Sequence, residues 1–316
     1  MSSFTNRTTL EITTDFILSS LEQRASSNGV KQTALVIGIQ GPQGSGKSYL
    51  AQQLETSPKL SHLRIANLSL DDLYLPHSRL VELASSNPSN ELLSGRGQAG
   101  THDLPLGVEV LSKLRERREV KIPRFEKSLH GGEGDRLPES KWPTVKGGEV
   151  DLVLFEGWML GFKSIPVKED LSKVYEQAKA EPKSREVKEL LGGIDYDEPF
   201  ILRSKLNDLE KLNEELKEYE RLWELVDGWV ELRPERLGYV WQWRLEQEHT
   251  MKAKNGGIGM TDEQVKTFIS RYMPGYELFS SVSKIPKGNE SKKHGSLLTV
   301  EIGKQRQVVN VEEATC

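Results

Sequence analysis

Cysteine is nearly absent from this sequence: among 316 residues there is one, Cys316. A disulfide within the chain is therefore impossible, which fits a reducing compartment. Nothing around Cys316 suggests a redox or metal role, so it reads as a free thiol. Long hydrophobic runs are missing too. No stretch approaches the roughly 18 uninterrupted apolar residues of a membrane-spanning helix. Charge of one sign is not in excess either. The formal net charge is −4 with charged residues at 28%, which argues against general nucleic-acid binding through many Lys/Arg–phosphate contacts. Hydrophobic residues at 36% argue equally against a disordered chain. The opening residues, MSSFTNRTTL, carry hydroxyls and one Arg, faintly like a transit peptide. Glu11 and Asp15 interrupt that pattern early and no apolar segment follows. The expectation is a cytoplasmic protein whose first helix carries Leu10, Ile17 and Leu21 on one side.

What is present is an alternation of buried strands and amphipathic helices. Residues 34–39, 63–70, 120–122, 151–155 and 226–232 are short apolar runs bounded by turn residues, as in a parallel sheet. Residues 297–302 and 308–311 read as an antiparallel hairpin at the sheet edge. Leu206, Leu209, Leu212, Leu216, Tyr219, Leu222 and Trp223 recur at spacings of three and four, predicting one amphipathic helix. Thr261 with Gln264 forms a capping box opening a helix with Val265, Phe268, Ile269 and Tyr272, stopped by Pro274-Gly275. The pattern predicts an α/β fold with a sheet covered on both faces. Residues 163–205 stand apart, dense in Lys and Glu with one short apolar face (Leu171, Val174, Tyr175, Ala178). They read as a charged surface insertion within a single domain over 1–316. Residues 284–295 read as a basic loop, and there is no internal repeat.

Gly41, Pro42, Gln43, Gly44, Ser45, Gly46, Lys47 and Ser48 match the Walker A pattern at every fixed position, with a strand before and a helical run after. Such a loop cradles phosphates with backbone N–H groups at a helix N-terminus. Lys47 would reach the β- and γ-phosphates, and Ser48 would ligate Mg²⁺. Tyr49 follows directly and belongs to the same nucleotide segment. The alternative is a glycine-rich turn that matches by chance. Asp71 and Asp72 end the second strand and Glu156 the fourth, where ligands bind in open α/β sheets. These carboxylates could accept a hydroxyl proton or serve Mg²⁺, or act as helix N-caps.

Two irregular stretches carry further polar residues. Gly95-Arg-Gly-Gln-Ala-Gly-Thr-His-Asp103 holds Arg96, His102 and Asp103. Residues 123–136 hold Arg124, Lys127 and Arg136. Guanidinium forks on loops suit a carboxylate or phosphate; the alternative is a set of solvated charges. Arg244 falls on a helical run at 239–251 with Trp241 and Leu245, where it could steady a transferring phosphoryl group or simply face solvent. The tryptophans read as core. His102 and His130 sit in these loops with no H-x-x-x-H spacing, so metal ligation is not indicated.

In order, the segments G-P-Q-G-S-G-K-S, S-L-D-D-L-Y, G-R-G-x-x-G-T-H-D, P-R-F-E-K-S with G-E-G-D-R, F-E-G-W-M-L-G-F, W-R-L-E-Q-E and M-T-D-E-Q-V with S-R-Y-M-P form a series. It resembles the D-glycerate 3-kinase family and the fungal ATP-binding P-loop kinases near it, within the pantothenate kinase, uridine kinase and phosphoribulokinase group. The resemblance implies a three-layer P-loop kinase fold around a five-stranded parallel core, with a helical lid, using ATP and Mg²⁺. It implies Asp71 as catalytic base, Glu156 at the metal and substrate site, and Arg244 on the lid. It places Asp72, Arg96, His102, Asp103, Arg124, Lys127 and Arg136 around a small carboxylate-bearing alcohol, foremost D-glycerate. Nucleic-acid and membrane partners are not expected. Three other readings stay open at this level: another small hydroxylated acceptor, a nucleotide-binding ATPase or switch without a metabolite, or a kinase fold kept as a scaffold.

Overall fold

The computed structural model describes residues 7–26, 33–254, 256–280 and 296–314; Cys316 and the basic stretch 284–295 lie outside them. Among the described residues ten strands occur: β1 Leu35–Gln40, β2 Ile65–Ser69, β3 Val120–Lys121, β4 Phe125–Glu126, β5 Asp135–Arg136, β6 Thr144–Val145, β7 Leu152–Gly157, β8 Gly228–Pro234, β9 Ser296–Ile302 and β10 Val308–Ala314. The central sheet runs β10-β9-β8-β1-β7-β2. All its neighbours are parallel except the β9–β10 hairpin. The reason lies in composition: β1 is buried along its whole length, and Val36, Ile37, Leu154, Phe155 and Val230 are fully buried. Strands covered on both faces must be apolar throughout. Each such side chain removed from water contributes about 1.5–3 kcal/mol.

The parallel core has five strands, but not the five read from the sequence. Val120–Lys121 pairs antiparallel with Thr144–Val145 in a ribbon of its own. Val120 is buried and Lys121 exposed, so this short run has one wet face and cannot sit inside the sheet. The fifth place goes to β9, parallel to β8.

The helices around the sheet are α1 Thr9–Ser26, α2 Lys47–Glu55, α3 His77–Ser86, α4 Leu104–Arg115, α5 Lys168–Ala180, α6 Arg185–Leu190, α7 Leu206–Lys217, α8 Glu220–Trp223, α9 Tyr239–Lys254, α10 Asp262–Ser270 and α11 Met273–Phe279. The helix expected over 206–223 breaks between α7 and α8. There Tyr219, fully buried, turns its hydroxyl to Gly100 N (3.0 Å) and His102 Nδ1 (2.7 Å). The Thr261–Gln264 capping box forms as expected. Pro274 does not end helical structure, however: it stands in the first turn of α11, where a missing N–H costs nothing.

The charged segment 163–205 buries more than its composition suggests. Leu171, Ala178, Val187, Leu191, Ile194, Phe200 and Ile201 all join the main core. Glu277 of α11 pins it from below, accepting from Tyr196 Oη (2.6 Å), Phe200 N (2.8 Å) and Ile201 N (2.8 Å). The single short apolar face seen in sequence missed these contacts because they come from loops and one-turn elements without helical periodicity.

Candidate active site

Three adjacent parallel strands deliver the site. β1 ends on the phosphate loop, β7 on Glu156 and β2 on Ser69, and the register sets Glu156 opposite both Ile39 and Ser69. The loop then turns directly into α2. Gly46 is its N-cap at φ 95°, and Ser45 N donates to Pro42 O at 3.1 Å. Gly44 has φ 79°, and a Cβ there would lie 2.4 Å from Trp243 Cβ. Glycine is required both for the backbone and for the close approach of α9. Gln43 N donates to the Tyr276 hydroxyl at 3.1 Å, and Gly41 and Pro42 are buried. Tyr49 points outward, 65% exposed. Among the described residues no carboxylate forms an ion pair with Lys47, yet its charge helps lower the Asp71 carboxyl.

Glu156 Oε1 accepts from Ser48 Oγ (3.1 Å) and Ser69 Oγ (2.9 Å). Its Oε2 is buried without a partner. A cavity of about 150 Å³ opens beside it, lined by Ser48, Ser69, Asp72, Arg124 and Glu156 among others. An unpartnered carboxylate oxygen next to a serine hydroxyl, with room for water, fits a hydrated Mg²⁺ that protein ligands alone would not enclose.

Asp71 and Asp72 are not helix caps. Ser69 caps the one-turn helix Leu70–Leu73 by accepting from Asp71 N at 3.3 Å, which frees both carboxylates. Asp71 Oδ2 accepts from Lys127 Nζ at 2.5 Å, and burial together with the Asp71 charge pushes the nearby Tyr74 hydroxyl up. Burial pushes the Asp71 carboxyl up, but the Lys127 charge and hydrogen bond, helped by Lys47, outweigh it and hold it at about 2. Asp71 is therefore a carboxylate, 29% exposed in its side chain.

The other expected residues divide. Lys127 stands at the site. Arg96 is nearby, over the Phe125 ring at 5.7 Å, but donates to Gly132 O (2.7 Å) and to Glu133 O. Asp72 accepts from Phe125 N and Arg124 Nη1, both at 3.0 Å. Asp103 caps α4 through Leu106 N (3.2 Å) and pairs with Arg136 Nη1 (2.8 Å). Arg136 also donates to Tyr74 O at 2.6 Å. Asp72, Arg124, Asp103 and Arg136 thus tie the 123–136 hairpin to the end of β2 and the start of α4, while Asp72 and Arg124 also line the cavity beside Glu156. His102 is neither solvated nor charged: it is 5% exposed, stacks on Tyr74 at 4.4 Å, and burial drives its imidazole down to about 3. Arg244 pairs through its guanidinium with the fully buried Glu248 at 2.9 Å and lies 5.5 Å over Phe268, contacts that brace α9 against α10.

Several contributors were not singled out from the sequence. Ser69 and Tyr74 flank Asp71 in the sequence and could have been suspected from that alone. Arg306 could not. From the β9–β10 turn its Nε donates to Gly44 O at 2.7 Å, its Nη1 pairs with Glu246 at 3.0 Å, and it covers the Trp243 ring at 5.3 Å. Trp243 Nε1 in turn donates to Lys304 O at 2.7 Å. The edge hairpin, the lid helix α9 and the phosphate loop are thereby locked together.

Similar proteins share this arrangement of the chain. A solved D-glycerate 3-kinase from Cryptococcus neoformans is 41% identical, with a TM-score of 0.83 over 98% of this chain and 100% of that one. An uncharacterized kinase of Schizosaccharomyces pombe, mug58, is 37% identical over 272 residues, 85% of this chain and 88% of the relative. The chloroplastic D-glycerate 3-kinase of Arabidopsis thaliana is 35% identical over 282 residues, 87% of this chain but 54% of the longer plant protein. No family model matches. No described helix is long and apolar enough to cross a membrane. With its phosphate loop, strand-end carboxylates and mainly parallel sheet, this chain is an ATP-dependent kinase and belongs to the family that holds the D-glycerate 3-kinases and the fungal kinases related to them.

Proposed function

We propose that this chain transfers the γ-phosphoryl group of ATP to the C3 hydroxyl of D-glycerate, giving 3-phosphoglycerate and ADP, as one P-loop domain acting in the cytoplasm. The observation that carries the reading is the Asp71–Lys127 pair at 2.5 Å, a carboxylate beside a cation at the strand end next to the phosphate loop. The names of the Cryptococcus and Arabidopsis relatives support the acceptor. In this reading the loop from Gly41 to Ser48 holds the phosphates, and Lys47 follows the γ-phosphoryl group. Ser48 and Glu156 would hold Mg²⁺, which would supply charge neutralisation to the phosphates.

The acceptor oxygen forms its bond to the γ-phosphorus as the bond to the β–γ bridging oxygen breaks, and ADP leaves. The hydroxyl proton goes to Asp71. A carboxylate held at about 2 is too weak a base to ionise an alcohol beforehand. It orients the hydroxyl and takes the proton late, when bonding to phosphorus has made that oxygen acidic. Lys127 and Arg96 give the site a positive field for a carboxylate-bearing acceptor. Asp72, Arg124, Asp103, Arg136 and His102 shape its wall. Arg244 serves as the counter-ion of Glu248.

The test is coupled ADP release with D-glycerate, L-glycerate, pantothenate, uridine and ribulose 5-phosphate offered separately. Stimulation by D-glycerate above the rest is expected. Turnover on another acceptor without D-glycerate stimulation discards the substrate. ATP hydrolysis indifferent to every acceptor favours a nucleotide switch.

A further inference from the structure

Arg271 follows α10 and lies against the glycine loop that begins the acceptor wall. Its carbonyl accepts from Gln98 Nε2, and its Nη2 would stand 3.8 Å from a Cβ on Gly95. Its Nε and Nη2 are both buried without a hydrogen-bond partner, and no ion pair engages it among the described residues. Its neighbours differ: Arg96 and Arg124 each donate through Nη1 to a carbonyl or carboxylate, and Arg136 donates through Nε, Nη1 and Nη2. An unmet, buried guanidinium is costly to the free protein. Nε–H and one Nη–H lie along a single edge of the planar group, and two parallel donors match the two oxygens of a carboxylate. The next residue, Tyr272, brings its hydroxyl to Gly97 of the same loop, so Arg271 and Tyr272 together pack against the glycine loop at residues 95–97.

We infer that Arg271 is the specificity-determining residue of this kinase, receiving the acceptor's carboxylate on its Nε/Nη2 edge. The inference rests on the proposed acceptor class. Lys127 remains free to serve Asp71, and Gly95, lacking a side chain, brings only its backbone up to the fork.

The test uses the full chain with Arg271→Met and Arg271→Lys. For R271M the acceptor KM rises about 100-fold or more, the loss of two charge-assisted hydrogen bonds, while the ATP KM stays within about twofold. Glycerol, which has the hydroxyls without the carboxylate, is turned over as poorly by R271M as by wild type. R271K recovers part of the loss, since an ammonium cannot present the planar fork. The thermal midpoint separates a binding role from a structural one. R271M without ligand melts no lower than wild type, because it has lost an unmet buried charge, and D-glycerate no longer raises its midpoint. An unchanged acceptor KM in R271M overturns the inference. So does a lower midpoint with losses on glycerol and D-glycerate alike, which makes Arg271 structural. If wild type fails on D-glycerate, the substrate reading falls, and the same variants decide the inference on whichever carboxylate-bearing acceptor the wild type uses. Turnover confined to uncharged acceptors overturns both.

Discussion

Replacing Lys127 with methionine removes one charge and keeps the length of the side chain. In the native site Lys127 Nζ lies 2.5 Å from Asp71 Oδ2. The Asp71 carboxyl is pushed up by burial and pulled down further by Lys127, then Lys47, to about 2 from an ordinary 3.8. Without Lys127, burial is opposed mainly by Lys47, so the carboxyl climbs back by about two units. At about 1.36 kcal/mol per unit this is roughly 2–3 kcal/mol. Water sets that as an upper limit, because the Lys127 side chain is 57% exposed. The base must be ionised to take a proton. Activity therefore falls as pH drops through the Asp71 value, which lies below the working range in wild type and enters it in the variant. The assay is kcat/KM for the acceptor at saturating ATP, from about pH 3.5 to 8. Wild type stays level on the acid side, whereas K127M loses activity as pH falls towards about 4. Superimposable acid limbs, or an equal loss at every pH, would refute the idea that Lys127 sets the charge of Asp71.

Arg306→Ala should raise the ATP KM about tenfold, with the acceptor KM unchanged, because it releases Gly44 O and Glu246 together; unaltered nucleotide affinity counts against the brace. Replacing 164–204 with a short linker should abolish soluble folded protein. Seven buried apolar residues at about 1.5–3 kcal/mol each exceed the usual net stability, and a variant melting like wild type contradicts that packing. Asp151→Asn should lower the thermal midpoint at neutral pH but not at pH about 2. Hydrogen bonds from Arg64, with Arg117 beside it, hold Asp151 at about 2 against 3.8. Its stabilisation is thus present above about pH 4 and lost as pH falls towards 2; a gap between the two proteins that persists at pH 2 rules out the ion pair as its source.

The parts of the site that follow from local rules were legible. The Walker loop, the strand before it and the acidic residues at strand ends are all set within a few positions of one another. Asp71 and Lys127 were both singled out, although their 2.5 Å contact spans 56 positions and no spacing rule predicts it. Asp72, Asp103 and Arg136 looked like Asp71 and Lys127 in sequence, since a charged loop residue carries no mark of whether a backbone N–H or a ligand will meet it. Arg306 reaches the phosphate loop across 262 positions, and Arg271 stands out only because its buried donors lack partners. The fifth parallel strand was misplaced for a related reason. Residues 120–122 and 297–302 are both short apolar runs, and only the covering of both faces distinguishes a core strand from a surface ribbon.

The account turns on where the phosphoryl group goes, and the product's phosphorus spectrum reports that directly. The protein is incubated with ATP, Mg²⁺ and D-glycerate, and ¹H-coupled ³¹P NMR is recorded on the new phosphomonoester. Transfer to the C3 hydroxyl gives a phosphorus coupled to the two protons of a CH₂ group, and the signal should be absent from an Asp71→Asn control over the same interval. A phosphorus coupled to a single CH proton, from transfer to the C2 hydroxyl, or inorganic phosphate as the sole product, would contradict it.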